Sequence, residues 1–334
     1  MADVDYELPP ETIAQHPVEP RDAARLLVDC GPSRPPAHRQ VRDLPELLRE
    51  GDLVVVNDTR VLPARLHLVR GSGGRVEVLL VARRDPEGWE WEAMVRPSRK
   101  VKVGEEVRAG DLVVTIGERM GDGATRVVRL SGVDDPVAAL QAHGEMPLPP
   151  YITTVLDDPE RYQTVYARRP GSAAAPTAGL HLTRAVLEAV AARGVDVAKV
   201  ELVVGLDTFK PVSVENPTDH VMHSEAFRVE PAVLDACRAA RRVVAVGTTS
   251  VRALESAAAG VTDERTNLFI RRPYDWQVVD VLLTNFHLPR TTLLLMIDAF
   301  VGPRWRELYT TALTEQYRFL SFGDAMLLQR EWVA

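Results

Sequence analysis

The sequence predicts an α/β protein with a discontinuous main domain and an inserted small antiparallel β-barrel. Three observations lead there. From Pro150 onward, strand-like and helix-like runs alternate, the pattern of an α/β domain. Between Val61 and Val133, six short strand-like runs are separated by Gly-rich turns, the pattern of a small barrel. Helical patterns lie on both sides of that stretch, so the β unit interrupts the α/β domain. The expected division is 1–60 with 150–334 for the α/β catalytic domain, and 61–149 for the barrel. A length of 334 residues suits two domains at about 100–200 residues each.

The elements follow in order. The first forty residues carry seven prolines between Pro9 and Pro36, which fix φ and remove donors, so extended chain is expected with one short helix possible at Glu11–His16. Asp43-Leu-Pro-Glu-Leu-Leu reads as a helical turn with Asp43 as N-cap. Leu53–Val56 is a wholly apolar run suited to a buried strand, and it ends in the polar cluster Asn57-Asp58-Thr59-Arg60. The six barrel runs are Ala64–Val69, Arg75–Ala82, Trp89–Val95, Glu105–Arg108, Leu112–Ile116 and Thr125–Leu130. A helix is expected over Thr183–Arg193, capped by Thr183 and stopped by Gly194. Strands are expected at Val197–Val204, Arg242–Val246 and Val278–Leu283. Helices are expected at Glu230–Arg241, from Gly247 to Ala259, at Thr291–Val301 and at Arg304–Arg318.

Composition excludes several classes. The chain is 46% hydrophobic and 26% charged, with a net charge of −7. That argues against wholesale disorder and against a broadly basic nucleic-acid binder, whose pI usually exceeds about 9. It leaves room for a local basic face. Cys30 and Cys237 show no paired spacing, which fits a reducing compartment. Met1–Pro20 lacks the features of a secretory signal. The apolar stretch near Thr291–Gly302 is interrupted by Asp298 and falls short of the roughly 20 residues that span a bilayer. A cytoplasmic protein without membrane association, and a monomer, is expected.

Four polar clusters sit at strand or helix ends. Gly247-Thr248-Thr249-Ser250 opens a helix, where free N–H groups and the dipole suit a carboxylate or phosphate, with Arg252 one turn on. The plain alternative is a helix cap from one of the three hydroxyls. His220-Val-Met-His223-Ser-Glu225 offers acid–base groups, with a metal site as a second reading and an ordinary polar loop as a third. Ala175-Pro-Thr177-Ala-Gly179-Leu-His181 combines small residues with an imidazole before a helix. Leu282-Leu-Thr-Asn285-Phe-His287 follows a buried strand. Four such clusters make one shared cleft plausible. Separately, Arg96-Pro-Ser-Arg99-Lys100-Val-Lys102 places four cations within seven residues on the barrel, and Arg168-Arg169 adds a basic pair. Such a stripe serves phosphate contacts, although short charge runs are more often solvated surface.

These residues together resemble one family, the S-adenosylmethionine:tRNA ribosyltransferase-isomerases of queuosine biosynthesis. The resemblance runs over nearly the whole chain. It includes Gly51-Asp-Leu-Val-Val-Val-Asn-Asp-Thr-Arg-Val, Arg161-Tyr-Gln-Thr-Val-Tyr-Ala, Ala175-Pro-Thr-Ala-Gly-Leu-His, Met222-His-Ser-Glu, Ala245-Val-Gly-Thr-Thr-Ser-Val-Arg-Ala-Leu-Glu-Ser and Leu283-Thr-Asn-Phe-His-Leu-Pro. It implies a barrel inserted in an α/β domain, consistent with the reading above. It also implies transfer and isomerisation of the ribosyl part of S-adenosylmethionine onto 7-aminomethyl-7-deazaguanine at the tRNA wobble position. Epoxyqueuosine-tRNA, adenine and methionine result, with S-adenosylmethionine as co-substrate and no prosthetic group or metal. The residues expected to move protons are His181, His223, Glu225 and Asp58. Those expected to hold S-adenosylmethionine are Thr177, Gly179, Gly247, Thr248, Thr249, Ser250, Arg252, Asn285 and His287. Arg96, Arg99, Lys100 and Lys102 are expected to bind RNA.

The chain also departs from that family's usual pattern. Val203 stands where a His is usual, Asp207 where a Gly is, and Ala226 where an aromatic is. Arg272-Pro273 replaces a Pro-Gly turn, and Asp298 replaces a small residue. A divergent relative that uses S-adenosylmethionine on a small-molecule acceptor is therefore the second reading. A non-catalytic binder on the same fold is a third, and a metallohydrolase built on His220, His223 and Glu225 a fourth.

Overall fold

A computed structural model describes the chain except residues 122, 206–211, 213, 223, 262–264 and 331–334. Two compact units emerge: Met1–Thr59 with Pro150–Arg168 and Pro176–Ala334, and Arg60–Pro149 with Arg169–Ala175. The sequence suggests one excursion at 61–149. The second excursion, 169–175, differs from that expectation, and Leu62 N donating to Ser172 O at 3.0 Å ties it to the barrel unit.

The first unit is built on a nine-stranded mixed sheet. Its strands run in the order Arg265–Thr266, Glu225–Arg228, Asp196–Leu202, Asp52–Asn57, Arg242–Val246, Val281–Asn285, Ala325–Gln329, Arg25–Val28 and Ala37–Gln40. The four from Asp196–Leu202 to Val281–Asn285 are parallel, in registers such as Val55 opposite both Ala198 and Ala245. The three from Asp52–Asn57 to Val281–Asn285 are apolar in their middles because both faces are covered, and Asp52–Asn57 is buried at every position. On one side Val54, Val56, Val244, Val246 and Leu283 pack with Leu182, Val186 and Val190. Ala325–Gln329 enters antiparallel beside Val281–Asn285, then pairs parallel with Arg25–Val28.

Most expected elements form within a residue or two. Thr183 caps the helix Arg184–Ala192, its Oγ1 accepting from Val186 N at 3.2 Å. Three expectations are corrected. Asp43 does not cap Leu44–Leu47; its carboxylate turns back to Gln40 N at 2.9 Å, closing a 3-10 turn over Val41–Asp43. The proline-rich opening holds two strands, Arg25–Val28 and Ala37–Gln40. The strand Ala325–Gln329 has no counterpart among the elements the sequence predicts.

In the second unit the six expected runs form Arg65–Arg70, Arg75–Arg83, Glu90–Arg96, Glu106–Ala109, Leu112–Met120 and Thr125–Ser131. They pair antiparallel, and Val69 opposite Arg108 joins the first to the fourth, closing a six-stranded barrel. Alternation places Leu66, Leu68, Val76, Val78, Leu80, Trp91, Ala93 and Val95 inside.

Candidate active site

The carboxyl ends of the parallel strands carry the polar clusters, where open α/β sheets commonly hold ligands. Asn57 ends one strand and acts as a backbone surrogate: Nδ2 donates to Leu202 O at 2.9 Å, while Oδ1 accepts from Leu202 N and Thr59 N, each at 3.2 Å. The next residue, Asp58, is 2% exposed. Its Oδ2 accepts from Arg168 Nε at 3.0 Å and lies the same distance from Nη2. Arg168 is a site residue that the sequence marks only as half of a basic pair.

His181 ends the 3-10 turn Thr177–His181. Asn285, at the end of its strand, places Nδ2 2.8 Å from His181 Nε2 and donates from the same nitrogen to Leu320 O at 3.2 Å. Thr177 Oγ1 donates to Asn285 Oδ1 at 3.0 Å. Thr177, His181 and Asn285, which the sequence marks in two separate clusters, thus form one hydrogen-bonded group. Burial is the main cause that pushes the His181 pKa down to about 4, and Arg318, Arg21 and Arg161 add to it.

Small residues permit this packing. A Cβ at Gly179 would overlap the Tyr166 hydroxyl oxygen and meet Thr164 Cγ2 at 3.0 Å. Gly247 has φ +85°, and a Cβ there would stand 3.5 Å from both Ala178 Cβ and Thr249 Oγ1. The turn therefore lies between Tyr166 on one side and the start of the helix Gly247–Ala258 on the other. Tyr166 and Thr164 join the site without being candidates from the sequence; their one signal there is the string Arg161-Tyr-Gln-Thr-Val-Tyr-Ala.

No side chain caps the helix Gly247–Ala258. Ser250 Oγ instead donates back to Val246 O at 2.8 Å, so capping by these hydroxyls does not occur. Two buried polar atoms here, Thr249 Oγ1 and Arg252 Nη2, lack a hydrogen-bond partner among the described residues. Arg252 uses Nη1 on the Glu225 carboxylate and Nε on Leu268 O at 3.2 Å. Glu225 Oε1 also accepts from Gly205 N at 3.0 Å. Glu225 and Arg252, expected in separate roles, are thus ion-pair partners. Burial lowers the Arg252 pKa to about 10.

The remaining expected residues stand apart from this group. His287 is woven into an aromatic cluster: its backbone N–H donates to Tyr309 Oη at 3.0 Å, and its carbonyl accepts from Tyr6 Oη at 2.5 Å. Its Nε2 lies 3.0 Å from Thr284 Oγ1, and burial lowers its pKa to about 3. His223 and Asp207 lie outside the described residues. His220 packs edge-on to Phe269, with ring centroids 5.6 Å apart. Among the described residues no group of three His, Cys, Asp or Glu could hold a metal ion, and no helix is long and apolar enough to cross a membrane.

On the barrel, Arg96, Arg99, Lys100 and Lys102 are all exposed. Beneath their loop lies the buried Arg126, whose Nη2 donates to Ser98 O at 2.9 Å and Val101 O at 3.2 Å. The loop's shape is therefore held from inside, while its exposed cations face outward.

Comparison with known proteins agrees with this architecture. A model of the family described as "Queuosine biosynthesis protein" matches residues 1–328. A relative from Rubrobacter xylanophilus, named S-adenosylmethionine:tRNA ribosyltransferase-isomerase, is 50% identical over 329 residues, 98% of this chain and 96% of its own. One of the same name from Thermus thermophilus is 50% identical over 344 residues, covering 97% of this chain and 98% of its own. The crystal structure of S-adenosylmethionine tRNA ribosyltransferase from Thermotoga maritima is 37% identical, with a TM-score of 0.54 over 97% of this chain and 99% of that one.

Proposed function

We infer the reaction from a plain premise: the chain belongs to the queuosine biosynthesis protein family. It is an S-adenosylmethionine:tRNA ribosyltransferase-isomerase. It moves the ribosyl part of S-adenosylmethionine onto 7-aminomethyl-7-deazaguanine at the tRNA wobble position, releasing adenine and methionine and leaving epoxyqueuosine-tRNA. The small-molecule alternative finds no support. A cytoplasmic setting and a monomeric state are part of this proposal.

The observation that carries the site assignment is the nearness of Gly247 to Ala178, whose Cβ lies 3.5 Å from where a Gly247 Cβ would stand, which brings an uncapped helix start beside the His181 turn. Free N–H groups and the helix dipole favour a carboxylate there. In our reading the methionine carboxylate sits at Thr248–Ser250, with the unpartnered Thr249 Oγ1 and Arg252 Nη2 turned to it. Thr177, Gly179 and Asn285 shape the adjoining nucleoside pocket, and His287 supports it from the aromatic cluster. The sulfonium acidifies the neighbouring C5′ hydrogens, so a positioned base can remove one. Asp58, His181, His223 and Glu225 are the candidates for proton transfers. Arg96, Arg99, Lys100 and Lys102 contact tRNA phosphates.

The test is adenine release from S-adenosylmethionine, with and without tRNA bearing the aminomethyl base, followed by mass analysis of that tRNA. Adenine and methionine released together with a ribosyl-derived mass gain support the reading. Binding of S-adenosylmethionine with no such gain overturns it.

A further inference from the structure

We propose that Asn285 is a positioning residue that fixes the tautomer of His181, so that His181 meets its substrate as a neutral Nδ1–H donor and not as a base. A backbone carbonyl can only accept, so the Asn285 atom 3.2 Å from Leu320 O must be the amide nitrogen. That contact removes the usual ambiguity between the two ends of an Asn amide. Thr177 Oγ1, 3.0 Å from the other end, then donates to the amide oxygen. The same Asn285 nitrogen lies 2.8 Å from His181 Nε2, so its second hydrogen points at that ring atom. Nε2 must accept, which leaves the proton on Nδ1. Leu320 is held at φ +68°, a conformation uncommon for a branched residue, and its carbonyl is the group that orients the amide.

The surroundings keep the ring neutral. His181 is buried, and the charged groups that act on it are the cations Arg318, Arg21 and Arg161, which oppose protonation. A neutral imidazole whose second nitrogen is already occupied cannot take up a proton without breaking the Asn285 bond. It can donate to an acceptor, such as a purine ring nitrogen or a ribose oxygen. The tautomer is a property of the free protein, and it rests on the reaction proposed above only for the identity of that acceptor.

The test is the 15N spectrum of the histidine rings in ligand-free protein at pH 7, with His181 assigned by the signal lost in H181Q. The expected result is a protonated Nδ1 and an unprotonated Nε2, unchanged down to about pH 5. A protonated Nε2 in the wild-type protein overturns the proposal, whatever the enzyme catalyses. N285D puts an acceptor opposite Nε2, so the proton should move there and the ring should titrate at higher pH. An unchanged His181 spectrum in folded N285D also overturns it. If N285D does not fold, the wild-type spectrum still decides. In turnover, N285A should lose about 10²-fold in kcat, as expected of a misplaced group. Failure of the reaction with the tautomer intact would refute the function and not this assignment.

Discussion

Arg272 Nε stands 3.5 Å from the Asp298 carboxylate. Asp298 has a second task, since its Oδ1 accepts from the buried Trp305 indole N–H at 3.1 Å. Arg272 is 44% exposed on its side chain, so solvent screens the pair. R272A should cost less than about 1 kcal/mol. D298A should cost about 1–3 kcal/mol, because it leaves a buried donor unpaired. Urea unfolding of both variants checks this; equal costs would mean that the ion pair, and not the indole, dominates.

Acid should weaken the fold through its buried histidines. His181 and His287 have folded-state pKa values lowered to about 4 and about 3 by burial. Below about pH 6.5 the unfolded chain binds protons that the folded chain refuses. Their stabilising contribution is therefore complete above that pH, and falls as pH drops toward about 4 and then about 3. At about 1.4 kcal/mol per pH unit the loss is on the order of 3 kcal/mol for His181 and 5 kcal/mol for His287. Unfolding midpoints of wild type and H287Q between about pH 4 and about pH 7 test the point. The wild-type slope should be the steeper one, and parallel slopes would contradict it.

Gly179 is required by the Tyr166 hydroxyl, which occupies the space a Cβ would fill. G179A should destabilise the protein by about 1–3 kcal/mol through overpacking. Y166F removes the overlapping oxygen, so G179A/Y166F should be more stable than G179A alone. Thermal unfolding of the two variants measures the recovery. If the second change brings none, the clash lies with Thr164 instead.

Phosphate contacts by the barrel loop should appear as salt dependence. Lys100 and Lys102 are exposed, and Arg126 holds the loop's backbone from beneath. K100A/K102A should lower tRNA affinity and flatten the slope of log affinity against log salt by roughly one unit per lost contact. An unchanged slope would move the RNA interface elsewhere. R126M should also weaken binding, although Arg126 is buried, because Ser98 and Val101 lose their anchor.

The barrel was legible because its signal is local. Leu66, Leu68, Val76, Val78 and Leu80 alternate with other neighbours along their strands, and glycines mark the turns. The strand Ala325–Gln329 was not, since its pairing with Val281–Asn285 and Arg25–Val28 is set by residues far away in sequence. The strand-end clusters were visible as polar residues after apolar runs, but their partnerships were not. Nothing near Glu255 announces that its carboxylate receives the N–H groups of Gln277, Val278 and Val279, at 2.9, 3.0 and 3.0 Å. Val203 and Ala226 meet through the bond Val203 N to Ala226 O at 2.8 Å. That bond uses backbone alone, so it tolerates either side chain.

The buried pair Arg252–Glu225 separates stability from function most cleanly. Both side chains are 8% exposed, and removing one leaves the other charge without its main partner. R252M or E225M alone should therefore cost about 3–5 kcal/mol, whereas R252M/E225M should cost less than either, since an apolar pair avoids the desolvation of two charges. Activity should not follow stability. Arg252 Nη2 is the unpartnered donor assigned to the methionine carboxylate, so the stable double variant should still show a KM for S-adenosylmethionine raised about tenfold or more, as expected for a lost charge-assisted hydrogen bond. Thermal unfolding and steady-state kinetics on the same three variants make the comparison. A double variant that recovers both stability and KM would reduce the pair to a structural strut and move the carboxylate site away from Arg252.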